Sequence, residues 1–314
     1  MSHKLNNKSD AEDIRKRMLT ALAGSRTPGF HFPGYLLQLA WPHIGATSIT
    51  ETMPAWAPAC DARGETSLAA LGVMLDTALA TAPRLKIASG ARQATVQLHA
   101  QFTGHPPCGD LSMEVALEGF SDGGTVRQAL TRGVLSSAGK PVCHASGTFV
   151  VLPPPVGVKL APLPWQRGGG AKIKPLDMKE LDASERAVVK ACDKALDAAD
   201  DTHTFIERFW GVLPRPAPGG ARCSVKIGPH LGNRVGHVQG GLLWGLAAAT
   251  ARAAVPRHPA LSTISAWFVS PGRGKALRVR SKVLHAGRSF AVVRTEIKNA
   301  DGTRVLEVVS NHAA

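Results

Sequence analysis

The chain has 314 residues, of which 44% are apolar, and it carries a formal net charge of +14. This length suits two domains better than one, and the apolar content is enough for a sizeable core. The chain has no run of eighteen apolar residues and no signal-peptide pattern at its start. We therefore expect a soluble, cytoplasmic protein that does not associate with a membrane.

The cysteines argue against a disulfide-stabilised or metal-binding protein, and the basic residues argue against a nucleic-acid-binding protein. Five scattered cysteines without metal-ligand spacing favour reduced thiols, so neither a disulfide framework nor a metal site is expected. The basic residues are dispersed, and the chain has a single Tyr and no aromatic stacking motif, so no nucleic-acid partner is expected. A small ligand with several phosphate groups suits the same positive charge.

The N-terminal segment predicts a short helix after a polar tail. Ile14, Met18 and Leu22 recur at helical spacing, which indicates an amphipathic helix within residues 1–29. Residues 30–41 are apolar and interrupted by Pro and Gly, so we expect them to lie against the first domain.

The first domain is predicted to contain one apolar helix among several strands. Residues 44–53 favour a strand, and residues 66–82 favour a helix that ends at Pro83 and carries a single charge, Asp76. Alternating apolar positions bounded by Gly, Pro and Asp then predict four strands. These strands are predicted at residues 94–102, 111–118, 125–136 and 142–152.

The middle of the chain is predicted to connect two domains. Residues 153–174 are rich in Pro and Gly and have no periodicity, which is typical of a linker. Residues 182–201 predict a connecting helix, which we interpret as a solvated strut. A short helix at residues 205–212 and a strand at residues 221–227 follow.

A glycine-rich loop at residues 233–241 stands directly before an apolar run that has no charge from Leu242 to Ala251. This run predicts a buried helix at residues 240–255. Its first N–H groups lack partners and lie at the positive end of the helix dipole, so they are suited to bind an anion or an oxyanion. A strand from Ile264 and three further strand-like runs reach the C-terminus.

The two halves of the chain form an internal repeat. Each has an apolar helix followed by four strands, and the segment from Thr95 corresponds to the segment from Thr263, a period of about 168 residues. A repeat of this length indicates a duplicated domain. We predict domains at residues 30–153 and 201–314, with residues 154–200 as linker and connecting helix.

The loop residues carry a resemblance to a known family. Asn233, Gly236, Gln239, Gly240 and Gly241 resemble the N-x-x-G-x-x-H-G-G loop of hotdog-fold acyl-CoA thioesterases of the phenylacetate-pathway and 4-hydroxybenzoyl-CoA type, with Gln in place of His. The resemblance covers about the last 110 residues. It implies an α+β class in which two tandem hotdog domains, each a sheet wrapped around a long helix, pack as an intramolecular pseudo-dimer.

The two halves differ in which active-site feature they retain. In the single-domain family the catalytic acid lies eight residues after the first Gly of the pair, a position that is Ala248 in the second half. The first half has Asp76 in a segment similar to the family's L-x-D-x-A, but Leu68 stands eight residues earlier. Because a hotdog site is shared between units, Asp76 is expected to face Gln239 and Gly240 in one composite site.

The resemblance implies hydrolysis of an acyl-CoA thioester, with coenzyme A as part of the substrate and no other cofactor. Gly240 N–H is expected to stabilise the oxyanion, and Gln239 to hold the carbonyl or the attacking water. Asp76 is expected to act as general base or as nucleophile, and to have a raised pKa because an apolar helix surrounds it.

Six further residues are expected to bind or position the substrate. Thr77 and Thr81 are neighbours of Asp76 on its helix and candidates to orient it, although each hydroxyl could instead bond to its own helix. Arg273 and Lys275 could meet the phosphates of coenzyme A or form an ordinary solvated rim. The remaining two are Asn233 and Gly241, and for Asn233 shaping of the loop is the main role expected.

A second hypothesis is a non-catalytic protein that binds acyl-CoA, since duplication with loss of one acid fits it as well. A carboxylate of Asp76 within about 3 to 6 Å of Gly240 N–H would favour the enzyme. Further pairing of chains into a homo-oligomer is also compatible with the sequence.

Overall fold

The computed structural model describes residues 8–27, 31–88, 90–121, 126–153, 156–157 and 173–314. The start of the predicted tail and most of the predicted linker lie outside these residues. The described residues form twelve strands in one antiparallel sheet. In chain order the strands are β1 (Ala40–Ile44), β2 (Ser48–Met53), β3 (Arg92–Phe102), β4 (Leu111–Ser121), β5 (Gln128–Ser137), β6 (Lys140–Leu152), β7 (Arg215–Ala217), β8 (Gly220–Lys226), β9 (Ala260–Phe268), β10 (Ala276–Ala286), β11 (Phe290–Asn299) and β12 (Arg304–Ala313).

Six α-helices accompany the sheet in the described part of the chain, three in each half. Each half begins with a long helix and a short one, and then contains one apolar helix against its own strands. The helices are α1 (Lys8–Ser25), α2 (Phe32–Leu36), α3 (Leu68–Thr81), α4 (Ala183–Ala198), α5 (Phe205–Trp210) and α6 (Gly240–Ala254).

The order of the strands shows that the two halves have the same topology. Across the sheet the order is β1-β2-β4-β5-β6-β3-β9-β12-β11-β10-β8-β7, so the second half repeats the first in reverse. The halves meet where β3 pairs with β9, with Leu98 opposite Ala266. This arrangement confirms the predicted pair of hotdog units joined as a pseudo-dimer.

Helix α3 is the core helix of the first half. Ser67 caps its start by accepting a hydrogen bond from Ala70 N–H at 3.3 Å, and Pro83 lies in the 3₁₀ turn that ends it. The segment Leu68–Leu85 is apolar enough by composition to cross a membrane, but 72% of it is buried inside the fold. It is therefore a core helix with strands of its own half packed around it.

Helices α3 and α6 cross closely because small residues lie where they meet. A Cβ atom on Gly241 would stand 1.9 Å from the Gly72 carbonyl oxygen, and one on Gly245 would stand 2.4 Å from the Ala69 Cα. The backbones of the two core helices are therefore in direct contact. This contact brings the N-terminal end of α6 against the middle of α3.

Two sequence predictions need correction, and one strand was missed. The strand predicted at residues 44–53 is a hairpin of β1 and β2, because a turn separates Ile44 from Ser48. Helix α4 is not a solvated strut, since Val188 and Cys192 are buried in the main core. It packs against α1 and α5, so α1 and α4 take equivalent places in the two halves. The short edge strand β7 was not predicted.

Candidate active site

Asp76 lies in the middle of α3 and is held by donors from both halves. Asp76 is buried, with only 7% of its surface exposed. Oδ2 accepts hydrogen bonds from Gln239 Nε2 at 2.8 Å and from Gly241 N–H at 3.2 Å, and Oδ1 accepts one from Thr95 Oγ1 at 2.8 Å. Asp76 of the first half is therefore in hydrogen-bond contact with Gln239 and Gly241 of the second half.

The environment of Asp76 raises the pKa of its carboxyl group, as expected from the sequence. Burial raises the pKa of Asp76 to about 6, and the hydrogen bonds from Thr95 and Gly241 N–H oppose part of that rise. The carboxyl group is therefore largely ionised at neutral pH but able to hold a proton. A group poised in this way suits general-base chemistry.

Gln239 joins the carboxylate to the start of α6. It is the N-cap residue, and its Oε1 accepts a hydrogen bond from Leu242 N–H at 2.8 Å. This contact fixes the orientation of the amide, so Nε2 faces Asp76 and donates to it. Gln serves here because it supplies an acceptor to the helix and a donor to the carboxylate at once.

Gly240 is the first residue of α6 and touches the carboxylate directly. A Cβ atom at this position would stand 2.8 Å from Asp76 Oδ2. The next three N–H groups of the helix bond to Asp76, Gln239 Oε1 and Gln239 O. Gly240 N–H has no hydrogen-bond partner among the described residues, so this donor remains for a ligand.

The loop before α6 is shaped by Asn233. Its Oδ1 accepts hydrogen bonds from the N–H groups of Val235 and His237, each at 3.0 Å. Gly236 has a φ of 81°, a conformation that favours glycine. The expected role of Asn233 in shaping the loop agrees with these contacts.

The threonine that orients Asp76 is not one of those predicted. Thr77 Oγ1 donates to Val73 O and Thr81 Oγ1 donates to Thr77 O, each at 2.7 Å, so both hydroxyls bond to their own helix. Thr95, on β3, takes the orienting position instead. No local pattern marks Thr95, because the alternation of residues in β3 places it on one face of the strand as it would any other threonine.

A cavity of about 440 Å³ opens beside Asp76 and is lined by residues of both halves. Thr77, Thr81 and Asn233 line it, whereas Arg273 and Lys275 are exposed outside its lining. Their contact with phosphates stays a prediction. The described residues contain no group of three or more His, Cys, Asp or Glu side chains that could hold a metal ion.

Glu51 on β2 is a second buried acid close enough to interact with Asp76. It is fully buried, and this burial raises its pKa well above the usual value. The indole N–H of Trp41 opposes the rise in pKa, and the charge of Asp76 adds to it. Burial therefore favours the protonated form of Glu51.

The first half contains a counterpart of the Asn233 loop that sequence analysis missed. Asp61 Oδ1 accepts hydrogen bonds from the N–H groups of Arg63 and Glu65, and Gly64 has a φ of 76°. Asp61 stands six residues before its helix cap, Ser67, as Asn233 stands six residues before Gln239. The two loops are thus equivalent and lie 172 residues apart (233 minus 61).

At the mirror site an ion pair joins Asp61, the counterpart of Asn233, to Arg252 on α6. With the spacing of 172 residues, Ala248 corresponds to Asp76, and Arg252 corresponds to Ala80, which lines the cavity. Arg252 Nη2 lies 3.2 Å from Asp61 Oδ2, and the Asp61 side chain is only 4% exposed. The mirror site therefore contains a buried salt bridge and no carboxylate at the position of Asp76.

Comparison with known families gives one match. Residues 230–312 match the family model described as the acyl-CoA thioesterase N-terminal domain, which is about a quarter of the chain. Comparison with curated proteins gives no match.

Solved structures match nearly the whole chain. A protein provisionally described as an oleoyl thioesterase from Lactobacillus plantarum has a TM-score of 0.54 at 14% identity, over 86% of this chain and 97% of its own. The tesB protein of Mycobacterium avium subs. paratuberculosis has a TM-score of 0.51 at 15% identity, over 88% and 96%. A protein provisionally described as a thioesterase from Novosphingobium aromaticivorans has a TM-score of 0.51 at 14% identity, over 87% and 98%. At these identities the likeness concerns the fold. The chain is therefore a double-hotdog protein of thioesterase-like fold, and residues 230–312 match the acyl-CoA thioesterase domain model.

Proposed function

We propose that the protein hydrolyses acyl-CoA thioesters at one composite site between its two halves. The observation that carries this proposal is the contact between Asp76 of the first half and the start of α6 in the second, with Gln239 Nε2 2.8 Å from Asp76 Oδ2. The match of residues 230–312 to an acyl-CoA thioesterase domain supports the substrate class. The thioesterase descriptions of the proteins that share the fold support it further.

In the proposed reaction Asp76 is the general base. It takes a proton from a water molecule held between its carboxylate and the side chains of Gln239 and Thr95, and the resulting hydroxide attacks the thioester carbonyl carbon. The oxyanion that forms accepts a hydrogen bond from Gly240 N–H at the positive end of α6. The C–S bond then breaks, the sulfur leaves as coenzyme A with the proton from Asp76, and the acyl group leaves as a carboxylic acid.

The geometry favours this enzyme over a protein that only binds acyl-CoA. Asp76 is buried with its carboxylate against the first turn of α6, and its pKa of about 6 leaves it able to accept a proton. A binding protein has no need of a buried carboxylate at this position, because burying a charge lowers stability. The cavity beside Asp76 gives the substrate a place that both halves line.

The test is release of free coenzyme A from a panel of acyl-CoA thioesters of different chain length and ring content. We expect Asp76→Asn to lower kcat/KM by about 100-fold or more, which corresponds to about 2.7 kcal/mol of transition-state stabilisation. Asp197→Asn is the matched control, because Asp197 is an exposed acid on α4. If the wild-type protein binds acyl-CoA but releases no coenzyme A, the enzyme hypothesis is wrong and the hypothesis of a non-catalytic acyl-CoA binding protein replaces it.

A further inference from the structure

Three arginines line the same cavity as Asp76. Arg84 follows α3, Arg92 begins β3, and Arg234 lies in the loop before α6, so both halves contribute. Among the described residues that line the cavity, Asp76 is the one carboxylate. The wall is therefore strongly cationic even when Asp76 is ionised.

Two of these guanidinium groups have no acidic partner in the described part of the chain. Arg84 Nη1 donates to Ala91 O at 3.1 Å, a neutral acceptor. Neither Arg84 nor Arg92 forms a salt bridge with a carboxylate of the described residues. Partly buried cations in proteins are usually paired with an anion. We therefore expect Arg84 and Arg92 to bind an anion from outside the chain.

The arginines also lie close enough to affect one another. Burial lowers the pKa of Arg84 to about 9, and the charge of Arg234 adds to that effect. Burial lowers the pKa of Arg234 to about 10. Both groups remain charged at neutral pH, and their mutual repulsion would be relieved by a bound anion.

Polar atoms next to these charges also lack partners. The Nε of Arg92 and both terminal atoms of the Gln93 amide are buried without a hydrogen bond in the described part of the chain. His31 Nδ1 accepts a hydrogen bond from Gly34 N–H at 3.1 Å, so its remaining proton is on Nε2. Gln93 and His31 line the cavity and add neutral donors to the three cations.

The segment that places Arg84 is specific to the first half. The loops and core helices of the two halves are 172 residues apart, whereas the corresponding strand segments that start at Thr95 and Thr263 are 168 residues apart. The first half therefore has four more residues between its core helix and the next strand, where the 3₁₀ helix Ala82–Leu85 lies. This extra turn puts Arg84 at the cavity next to Asp76 and has no counterpart at the mirror site.

We propose that Arg84, Arg92 and Arg234 form an anion-binding subsite that takes a phosphate or carboxylate group of the thioester substrate. Guanidinium groups suit both anions, because their planar N–H donors match the oxygen atoms of each. The anion has two sources, the phosphates of coenzyme A or an acidic group at the far end of the acyl chain. The assignment of the anion to a substrate rests on the proposed function, whereas the binding of an anion does not.

The kinetic experiment separates the two sources. Four substrates are compared: the hexanoyl and adipoyl thioesters of coenzyme A, and the same two thioesters of N-acetylcysteamine, which has no phosphate. Each is assayed with Arg84→Gln, Arg92→Gln and Arg234→Gln. Arg278→Gln is the matched control, because Arg278 is exposed on β10 and outside the cavity lining.

We expect each cavity substitution to lower kcat/KM by about tenfold, or about 1.4 kcal/mol, for substrates that carry the recognised anion. If the anion is phosphate, the preference for coenzyme A over N-acetylcysteamine falls. If it is carboxylate, the preference for adipoyl over hexanoyl falls. The proposal is overturned if neither preference changes by more than about twofold relative to Arg278→Gln.

A binding measurement decides the proposal independently of hydrolysis. Calorimetry with adenosine 3′,5′-bisphosphate and with adipate probes the subsite in the intact protein, whether or not it releases coenzyme A. We expect one of these anions to bind wild type and Arg278→Gln equally and Arg84→Gln about tenfold more weakly. Arg84→Lys keeps the charge and should retain part of the binding, which separates loss of the cation from loss of the Ala91 contact. Absence of binding by both anions to wild type would refute the subsite.

Discussion

We expect Gly240→Ala to lose most of the catalytic activity while the protein stays folded. The added Cβ would stand 2.8 Å from Asp76 Oδ2, and an ordinary contact needs at least 3.4 Å, so the carboxylate has to move by about 0.6 Å. That movement strains the hydrogen bond from Gly241 N–H, which is already 3.2 Å long. Since displacement of a reacting group by about 1 Å can lower rates by about 100-fold, this smaller shift should lower kcat/KM by about tenfold or more.

The neighbouring glycine provides the contrast. A Cβ on Gly241 would stand 1.9 Å from the backbone oxygen of Gly72, and backbone cannot move without separating α3 from α6. We expect Gly241→Ala to lower the free energy of unfolding by about 3 kcal/mol. Gly240→Ala instead meets a side chain, and the reduced entropy of the unfolded chain offsets part of its strain, so its stability should change by about 1 kcal/mol or less.

The assay pairs kcat/KM for the best acyl-CoA substrate with urea unfolding of both variants. The reasoning requires that activity and stability respond separately to the two substitutions. If Gly240→Ala keeps the wild-type rate, Asp76 does not act from the position described. If it unfolds as readily as Gly241→Ala, the contact with Asp76 is a packing contact and not a catalytic one.

Two further predictions concern Asp76 and the mirror site. Because burial raises the pKa of Asp76 from 3.8 to about 6, kcat/KM should rise between pH 5 and pH 7 with a midpoint near pH 6. The folded-state pKa lies above the unfolded one, so the protonated form is favoured by folding. Wild type should therefore lose about 3 kcal/mol of unfolding free energy relative to Asp76→Asn as the pH rises from about 4 to above 6, as measured by urea unfolding. At the mirror site, Arg252→Met should lower the unfolding free energy by about 2 kcal/mol, because buried Asp61 then keeps only the partly exposed Arg63 as an ion-pair partner, and kcat/KM should stay unchanged. Asp61→Asn should lower stability less, since Asn keeps the hydrogen bonds that shape the loop, and the reverse order would contradict this account.

The part of the site that follows a local pattern could be predicted from the sequence. A charged residue in an otherwise apolar helix requires a partner, and this identified Asp76. The Gly-Gly pair at the start of a second apolar helix identified the place where that partner lies. The duplication then linked the two, because each half lacked the feature that the other retained.

The remaining groups depend on contacts that no local pattern reports. Thr95 comes from a strand 19 residues after Asp76 and differs in no visible way from other threonines on strands. Arg84, Arg92 and Arg234 come from three separate segments, so their convergence is a property of the folded chain. The Asp61 loop could have been predicted, because it has the same spacing to a helix cap as the Asn233 loop. It was missed because no Gly-Gly pair follows it.

The two sites differ in a way that follows from contact between the halves. Glycine at position 240 leaves the Asp76 carboxylate its place, whereas in the mirror site the equivalent positions are Leu68 and Ala248, which has no carboxylate. Loss of an acid on one core helix thus removes the requirement for glycine on the other. A carboxylate restored at Ala248 would meet the side chain of Leu68 and lack the amide that Gln239 supplies. The difference between the two sites therefore depends on several residues at once. In the mirror site, the ion pair between Arg252 and Asp61 contributes to stability instead.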